Sequence, residues 1–422
     1  MKQYKEYKDS GVKWIGMMPK HWEVKTLRAF IRLYSEKNHA EKQLLSVTRE
    51  QGVISRDVES KEENHNYIPD DLSGYKLVRK GDFVINKMKS WQGSYGVSNY
   101  EGIVSPAYYV CKLEFENKDF FSKSIRSKAY VPFFNQYSKG IRVDQWDLSP
   151  IALKNISFFE PPLSEQNEIV AYLDNKVSKI DRYISTAERK ILALEELKQV
   201  TIADAVTHGI NPNAPMKDSG IPWIGMVPEH WKLTRIKFLF NDISEKEHPE
   251  EPCLCSTQKY GVIPQSMYEN RVVVVNKGLE NLKFVRKGNF VISLRSFQGG
   301  IEIAHYQGII SAAYTILSLG NKNISSNYIK YLFKSSPFIQ LLQTCVTGIR
   351  EGQNINYELL RRQFIPIPTL SQQNEIVAYI DRKVAQIDKM KVAELAQIEK
   401  LKEYKQRLIS DVVTGKVKVT ND

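Results

Sequence analysis

Four short segments carry the residue types that read nucleic acid. Two lie early, at Ser46-Val47-Thr48-Arg49-Glu50-Gln51 and Asn86-Lys87-Met88-Lys89-Ser90-Trp91-Gln92. Two lie later, at Ser256-Thr257-Gln258-Lys259-Tyr260 and Ser293-Leu294-Arg295-Ser296-Phe297-Gln298. Beyond each pair come Lys139, Arg142 and Gln145, then Arg350, Gln353 and Asn354. Base edges are read by Arg, Lys, Asn, Gln, Ser and Thr, and phosphates are held by Lys and Arg. The candidate contacts are therefore Thr48, Arg49, Gln51, Lys87, Lys89, Ser90, Trp91, Gln92, Lys139, Arg142 and Gln145. Their later counterparts are Thr257, Gln258, Lys259, Tyr260, Arg295, Ser296, Phe297, Gln298, Arg350, Gln353 and Asn354. The alternative is that these are ordinary solvated loops, with Trp91 and Phe297 in the core.

Covalent or metal chemistry finds no comparable support. Cys253-x-Cys255 has the wrong spacing for zinc and lacks a second ligand pair. No Gly-Lys-Ser/Thr occurs, and Gly415-Lys416 is followed by Val417, which excludes a P-loop. Glu160-Pro161-Pro162-Leu163 lacks the amide and aromatic ring with which an adenine methyltransferase holds a flipped base, and it reads as a strand terminator. A nuclease pattern can only be forced, from Pro69-Asp70 and Glu116-x-Lys118. Seven histidines show no metal or triad spacing. His21 and His230 stand beside Trp22 and Trp231 in a repeated motif, which suits a structural role. The chain is expected to be non-catalytic, without a metal or cofactor of its own.

The candidate segments sit on a tandem repeat. DSGVKWIGMMPKHW at 9–22 returns as DSGIPWIGMVPEHW at 218–231, and SEQNEIVAYLD at 164–174 as SQQNEIVAYID at 371–381. RKGDFVI (79–85) matches RKGNFVI (286–292), GIVSPAY (102–108) matches GIISAAY (308–314), and Gly52-Val53-Ile54 matches Gly261-Val262-Ile263. The paired polar segments share this frame and differ in content, Thr-Arg-Glu-Gln against Thr-Gln-Lys-Tyr. Two related scaffolds with different loops would read two different sequences.

Each copy opens with about 150 residues of short β-like runs broken by Gly and Asn, a mixed α/β pattern. A long helix follows, with Ser164 and Ser371 as expected N-caps. Leu173, Val177, Ile180, Ile184, Ala187, Ile191 and Leu194 recur at three and four residues, a heptad seam. The second copy gives Ile380, Val384, Ile387, Ile398, Leu401 and Leu408, interrupted by Lys391 and Glu394. At ~1.5 Å per residue, 164–207 spans roughly 66 Å. A surface helix packed on its own domain is one reading. The other is that the two rods pair antiparallel about a pseudo-twofold axis.

The expected division is 1–163 and 218–370 as domains, 164–207 and 371–415 as helices, 208–217 as linker and 416–422 as tail. Of the 422 residues, 42% are hydrophobic and 26% charged, as in globular proteins. The net charge of +12 permits a polyanionic partner, and the surplus lies outside the helices. There is no run long enough for a membrane helix and no apolar leader in Met1–Ser10. Four scattered cysteines fit a reducing cytoplasm.

With DSGxxWIGMxPxHW in both copies, KMKSWQG, SFQGG, PPLSEQNEIVAYLD, PTLSQQNEIVAYID, DAVTHG and DVVTGK, the sequence resembles the specificity subunits of type I restriction–modification systems. The likeness covers nearly the whole chain. It implies two similar α/β target-recognition domains separated by two long antiparallel coiled-coil helices. Each domain would read one half of a bipartite, asymmetric site in double-stranded DNA. The helices would set the gap and dock two methyltransferase subunits that carry S-adenosylmethionine and methylate a flipped adenine. Restriction subunits using ATP and Mg would complete the complex. The rivals are a coiled-coil protein–protein adaptor without DNA binding and an enzyme with an unrecognised site.

Overall fold

The computed structural model describes residues 2–56, 68–140, 146–269, 277–348 and 354–419. The chain divides into two compact units, one formed by 1–187 with 396–422 and the other by 188–395. Each is mixed α/β. Among the described residues no helix is long and apolar enough to cross a membrane.

The first unit is built on a four-stranded antiparallel sheet, in the order Ile31–Tyr34, Tyr108–Leu113, Phe83–Asn86, Tyr95–Val97. Phe83, Val84 and Ile85 are fully buried, so this strand is covered on both faces. Helix Lys118–Ile125 packs Phe121 against Phe83 with ring centroids 5.4 Å apart. Its cap is Asn117, whose side chain accepts from the Phe120 amide at 2.8 Å.

The second unit repeats the sheet as Phe240–Ile243, Thr315–Leu319, Phe290–Ile292, Glu302–Ile303. Helix Ser326–Lys334 replaces Lys118–Ile125, capped by Ser325. Register preserves the repeat: Val84 faces Gly96 in one sheet, and its counterpart Val291 faces Glu302 in the other.

The two long helices run Leu163–Thr207 and Leu370–Val413. They start before the serines expected to cap them. The Gln166 amide already donates to the Pro162 carbonyl at 2.9 Å. In the second copy Thr369 is the cap, accepting from Gln372 N while the Gln372 side chain accepts from Thr369 N. This is a reciprocal capping box two residues earlier than Ser371 suggests.

Within each unit the helical segments pair through the heptad positions. Leu173, Ile180, Ile184, Leu194, Ile380, Ile387, Ile398 and Leu408 are buried, and Val177, Ile191, Val384 and Leu401 half-buried. In the second unit Lys190 meets Glu394, Lys391 meets Glu195, and Lys198 meets Asp388 at 2.8 Å. Partner numbers fall on one helix as they rise on the other, so these segments are antiparallel. The first unit repeats the last pair as Lys405 with Asp181, at 2.6 Å. Lys391 and Glu394 thus break the apolar seam because each answers an opposite charge across it.

The repeated Pro-x-His-Trp motif seats the ends of the helices. In the first unit the Glu165 carboxylate, 7% exposed, accepts from Trp22 Nε1 at 3.1 Å and from the Tyr4 hydroxyl. His21 Nε2 lies 2.8 Å from the same carboxylate. In the second unit Gln372 stands where Glu165 does, and it donates to His230 Nε2 at 2.7 Å. The two histidines serve the fold here. Residues 414–418 close the first unit through a hydrogen bond from Lys418 N to Lys2 O at 2.9 Å.

Candidate nucleic-acid interface

Each early polar segment is the tip of a β-hairpin. Leu45–Thr48 pairs with Gly52–Ser55, leaving Arg49, Glu50 and Gln51 as a three-residue loop. Leu254–Thr257 pairs with Gly261–Pro264 around Gln258, Lys259 and Tyr260. Gly52 and Gly261 take φ of +75° and +73°, the left-handed position that such a loop needs. This is why glycine recurs there.

Thr48 and Thr257 build these turns from inside. The Thr48 hydroxyl accepts from Gln51 N at 3.1 Å, and the Thr257 hydroxyl from Tyr260 N at 3.0 Å. Arg49, Gln51, Gln258, Lys259 and Tyr260 point to solvent. The Lys259 ammonium lies 4.8 Å from the Tyr260 ring centre, which presents a cation and an aromatic face together.

The second pair of segments forms short helical turns, Ser90–Gln92 and Ser296–Gly299. Gly93 and Gly300, at φ of +100° and +87°, end them. Ser90 and Ser296 are buried and hold the turns together: Ser90 Oγ donates to Lys87 O at 3.2 Å, and Ser296 Oγ accepts from Ser293 N at 2.8 Å. Both therefore belong to the frame, with Thr257, rather than to the exposed surface. Lys89, Arg295 and Gln298 are exposed, and Gln92 is half-buried. Trp91 packs on Trp146, with centroids 5.1 Å apart, and Phe297 packs against the apolar core. Lys87 pairs with Asp147 at 3.1 Å.

The third stretch is reached by two further hairpin stems. Lys139 is exposed in the strand facing Asp147–Leu148, and Asn354 is exposed opposite Thr347. Arg142, Gln145, Arg350 and Gln353 lie outside the described residues.

Two residues that the sequence does not single out join the turns. In the first unit Arg126 donates to the carbonyls of Arg49 at 2.9 Å and Glu50 at 2.8 Å in the hairpin loop. It also donates to Gly93 and Tyr95, both at 2.9 Å, at the exit of the helical turn. Burial lowers its affinity for the proton, yet a guanidinium stays charged. In the second unit Lys334 donates to the Gln258 carbonyl at 3.2 Å and pairs with the Glu302 carboxylate. Burial pushes Glu302 up to about 7, against the opposing pull of Lys334. The two turns also touch there: a Cβ on Gly299 would lie 2.5 Å from the Gln258 amide carbon.

Beside these turns each unit has a concavity. In the first, a cavity of about 610 Å³ is bounded by Arg49, Gln92, Arg126, Lys128 and Gln406. In the second, one of 510 Å³ is bounded by Lys259, Tyr260, Met267, Tyr268, His305 and Tyr306. The first gathers three cations and two amides beside Glu50 and Tyr95, and the second gathers three tyrosines and a histidine beside Lys259 and Glu269. Two copies of one frame thus carry chemically different surfaces.

The family model described as the type I restriction modification DNA specificity domain matches residues 228–400, in the second copy. The chain is 24% identical over 382 residues to the specificity subunit of the type I restriction enzyme MjaVIII of Methanocaldococcus jannaschii, covering 84% of this chain and 85% of the relative. It is 24% identical over 306 residues to the EcoBI specificity subunit of Escherichia coli, covering 66% and 62%. Among solved structures, a chain from work on complex assembly and conformational transition of the type I R-M system aligns with a TM-score of 0.65 at 17% identity, covering 95% of this chain and 99% of that one. The HsdS subunit of Thermoanaerobacter tengcongensis aligns with a TM-score of 0.52 at 17% identity, over 97% and 100%. These two likenesses establish a shared fold.

Proposed function

We propose that this chain, a member of the type I restriction–modification specificity-subunit family, reads a bipartite, asymmetric DNA site with one half assigned to each unit. The observation that carries this reading is the pairing of a frame shared by the two units with tips that differ between them. The same hairpin and helical turn present Arg49, Gln51 and Lys89 in one unit, and Gln258, Lys259, Tyr260, Arg295 and Gln298 in the other. Exposed Arg and Gln suit bidentate contacts to guanine and adenine edges in the major groove. Lys89 and Lys139 suit phosphates, as does Lys128, which lines the same cavity as Arg49.

The long helices, on this reading, set the gap between half-sites and dock two methyltransferase subunits. Those subunits hold S-adenosylmethionine and methylate an adenine that they take out of the stack. The chain itself is non-catalytic, and restriction subunits bring ATP and Mg. Its own residues bind, orient and select.

The test is a map of adenine methylation across the host genome, with and without this chain. Loss of a split, asymmetric methylated motif is expected when the chain is removed. An unchanged map, together with duplex binding that does not weaken as salt rises, would favour the protein–protein adaptor instead.

A further inference from the structure

We infer that Arg126 and Lys334 are matched positioning residues, Arg126 locking the two reading turns of the first unit together and Lys334 fastening the hairpin tip of the second to its sheet, each so governing recognition of one half-site only. The inference rests on the reading that those turns contact DNA. Both cations stand nine residues after the cap of the equivalent helix, Asn117 in one unit and Ser325 in the other. Neither reaches its partners through local chain geometry: Arg126 bonds residues 77 and 76 positions earlier in the hairpin loop, and 33 and 31 positions earlier around the helical turn.

The two units solve the same problem with different chemistry. A guanidinium has five donors in a planar fork, so one Arg126 can hold carbonyls from both turns at once. That arrangement needs room, and Gly96 leaves it: a Cβ there would lie 3.3 Å from the Gly52 Cα and 3.6 Å from the Arg126 Cδ. In the second unit that register position is Glu302, and the cation is a lysine. An ammonium is a compact point charge that cannot fork across several carbonyls. Lys334 takes one loop carbonyl, from Gln258, and the carboxylate of Glu302. The Gly/Arg pair and the Glu/Lys pair are alternative ways of fastening one hairpin to one sheet.

Both side chains are half-buried and their donors are directed at protein oxygen. Removing either cation should therefore loosen the turns without removing a phosphate contact. Positioning and contact then separate experimentally. Loss of a phosphate contact flattens the dependence of log affinity on log salt by about one unit, whereas loss of positioning does not.

Full-length chains carrying Arg126→Met, Arg126→Lys, Lys334→Met or Lys334→Arg would replace the wild type in a host retaining the methyltransferase, with genomic adenine methylation mapped for each. Wild type should give a two-part motif. Arg126→Met should blur one part, with discrimination there falling at least ~10-fold, and leave the other sharp. Lys334→Met should blur the opposite part, and Arg126→Lys should restore part of the loss. On duplexes carrying the mapped motif, the salt slope of the assembled complex should be unchanged. Blurring of both parts by one variant, no blurring by either, or a flattened salt slope would overturn the inference. If a Met variant does not assemble, the Lys and Arg exchanges carry the test, and each must act on its own part alone. A wild-type map without a two-part motif would sink the DNA-reading proposal itself, and this inference with it.

Discussion

Trp22 closes over Gly415 at the end of the second long helix. A Cβ at 415 would lie 3.3 Å from the indole ring and 2.2 Å from Pro19 Cδ, and the backbone there has φ of +73°. Gly209 makes the same approach to Trp231 in the second unit, but its nearest atom is 3.2 Å away. Each repeated Pro-x-His-Trp motif therefore receives the end of one long helix.

Gly415→Ala should destabilise the first unit more than Gly209→Ala destabilises the second. Left-handed backbone costs alanine ~1 kcal/mol at either site. The clash with Pro19 should add about 1–3 kcal/mol at 415. Hydrogen exchange of amides in each unit would resolve the two effects, and equal losses would refute the difference in packing.

Glu165→Ala should cost the first unit about 2–4 kcal/mol, because it leaves the buried Trp22 and Tyr4 donors without their acceptor. Glu165→Gln should cost less, since its amide oxygen still accepts one of them. Urea unfolding followed by tryptophan fluorescence measures both. A Gln variant as unstable as the Ala variant would argue that charge, and not acceptance, holds the site.

Glu302 makes the second unit sensitive to pH. Its carboxyl is raised from 4.5 to about 7 by burial, so the folded state binds the proton more tightly than the unfolded chain. A raised carboxyl loses stability as pH rises from about 4.5 through 7, by up to ~3 kcal/mol at ~1.4 kcal/mol per unit. Exchange of amides in the hairpin Leu254–Pro264 should accelerate between pH 5 and 8 beyond the intrinsic chemical rate. Glu302→Gln should flatten that excess, and parallel profiles for the two proteins would contradict the assignment.

If the long helices set the gap, removing four residues from the interior of each should shorten it by about two base pairs, from ~1.5 Å of rise per residue against ~3.4 Å per base pair. The half-site sequences should persist. Methylation mapping would show this directly, and altered half-sites with an unchanged gap would count against the ruler.

Much of this architecture is legible along the chain. The tandem repeat, the β-rich runs and the heptad spacing are short-range signals. The recurrence of Gly52 and Gly261 marks the two hairpin tips, because only glycine takes a left-handed turn freely. The candidate segments stand out for the same reason, as polar stretches pinned between repeated anchors. What pattern alone misjudged was depth: Thr257, Ser90 and Ser296 have the chemistry of contacts but are spent inside their turns.

The remaining decisions were made by residues far apart in the chain. Arg126 and Lys334 look like any surface cation until folding brings carbonyls or a carboxylate to them. Lys391 and Glu394 look like faults in a heptad until Glu195 and Lys190 arrive from about 200 positions away. Local spacing sets helix, strand and turn, since those hydrogen bonds close over a few residues. Which charge is answered, and which polar side chain is left facing outward, depends on groups that meet only once the sheets and helices have packed.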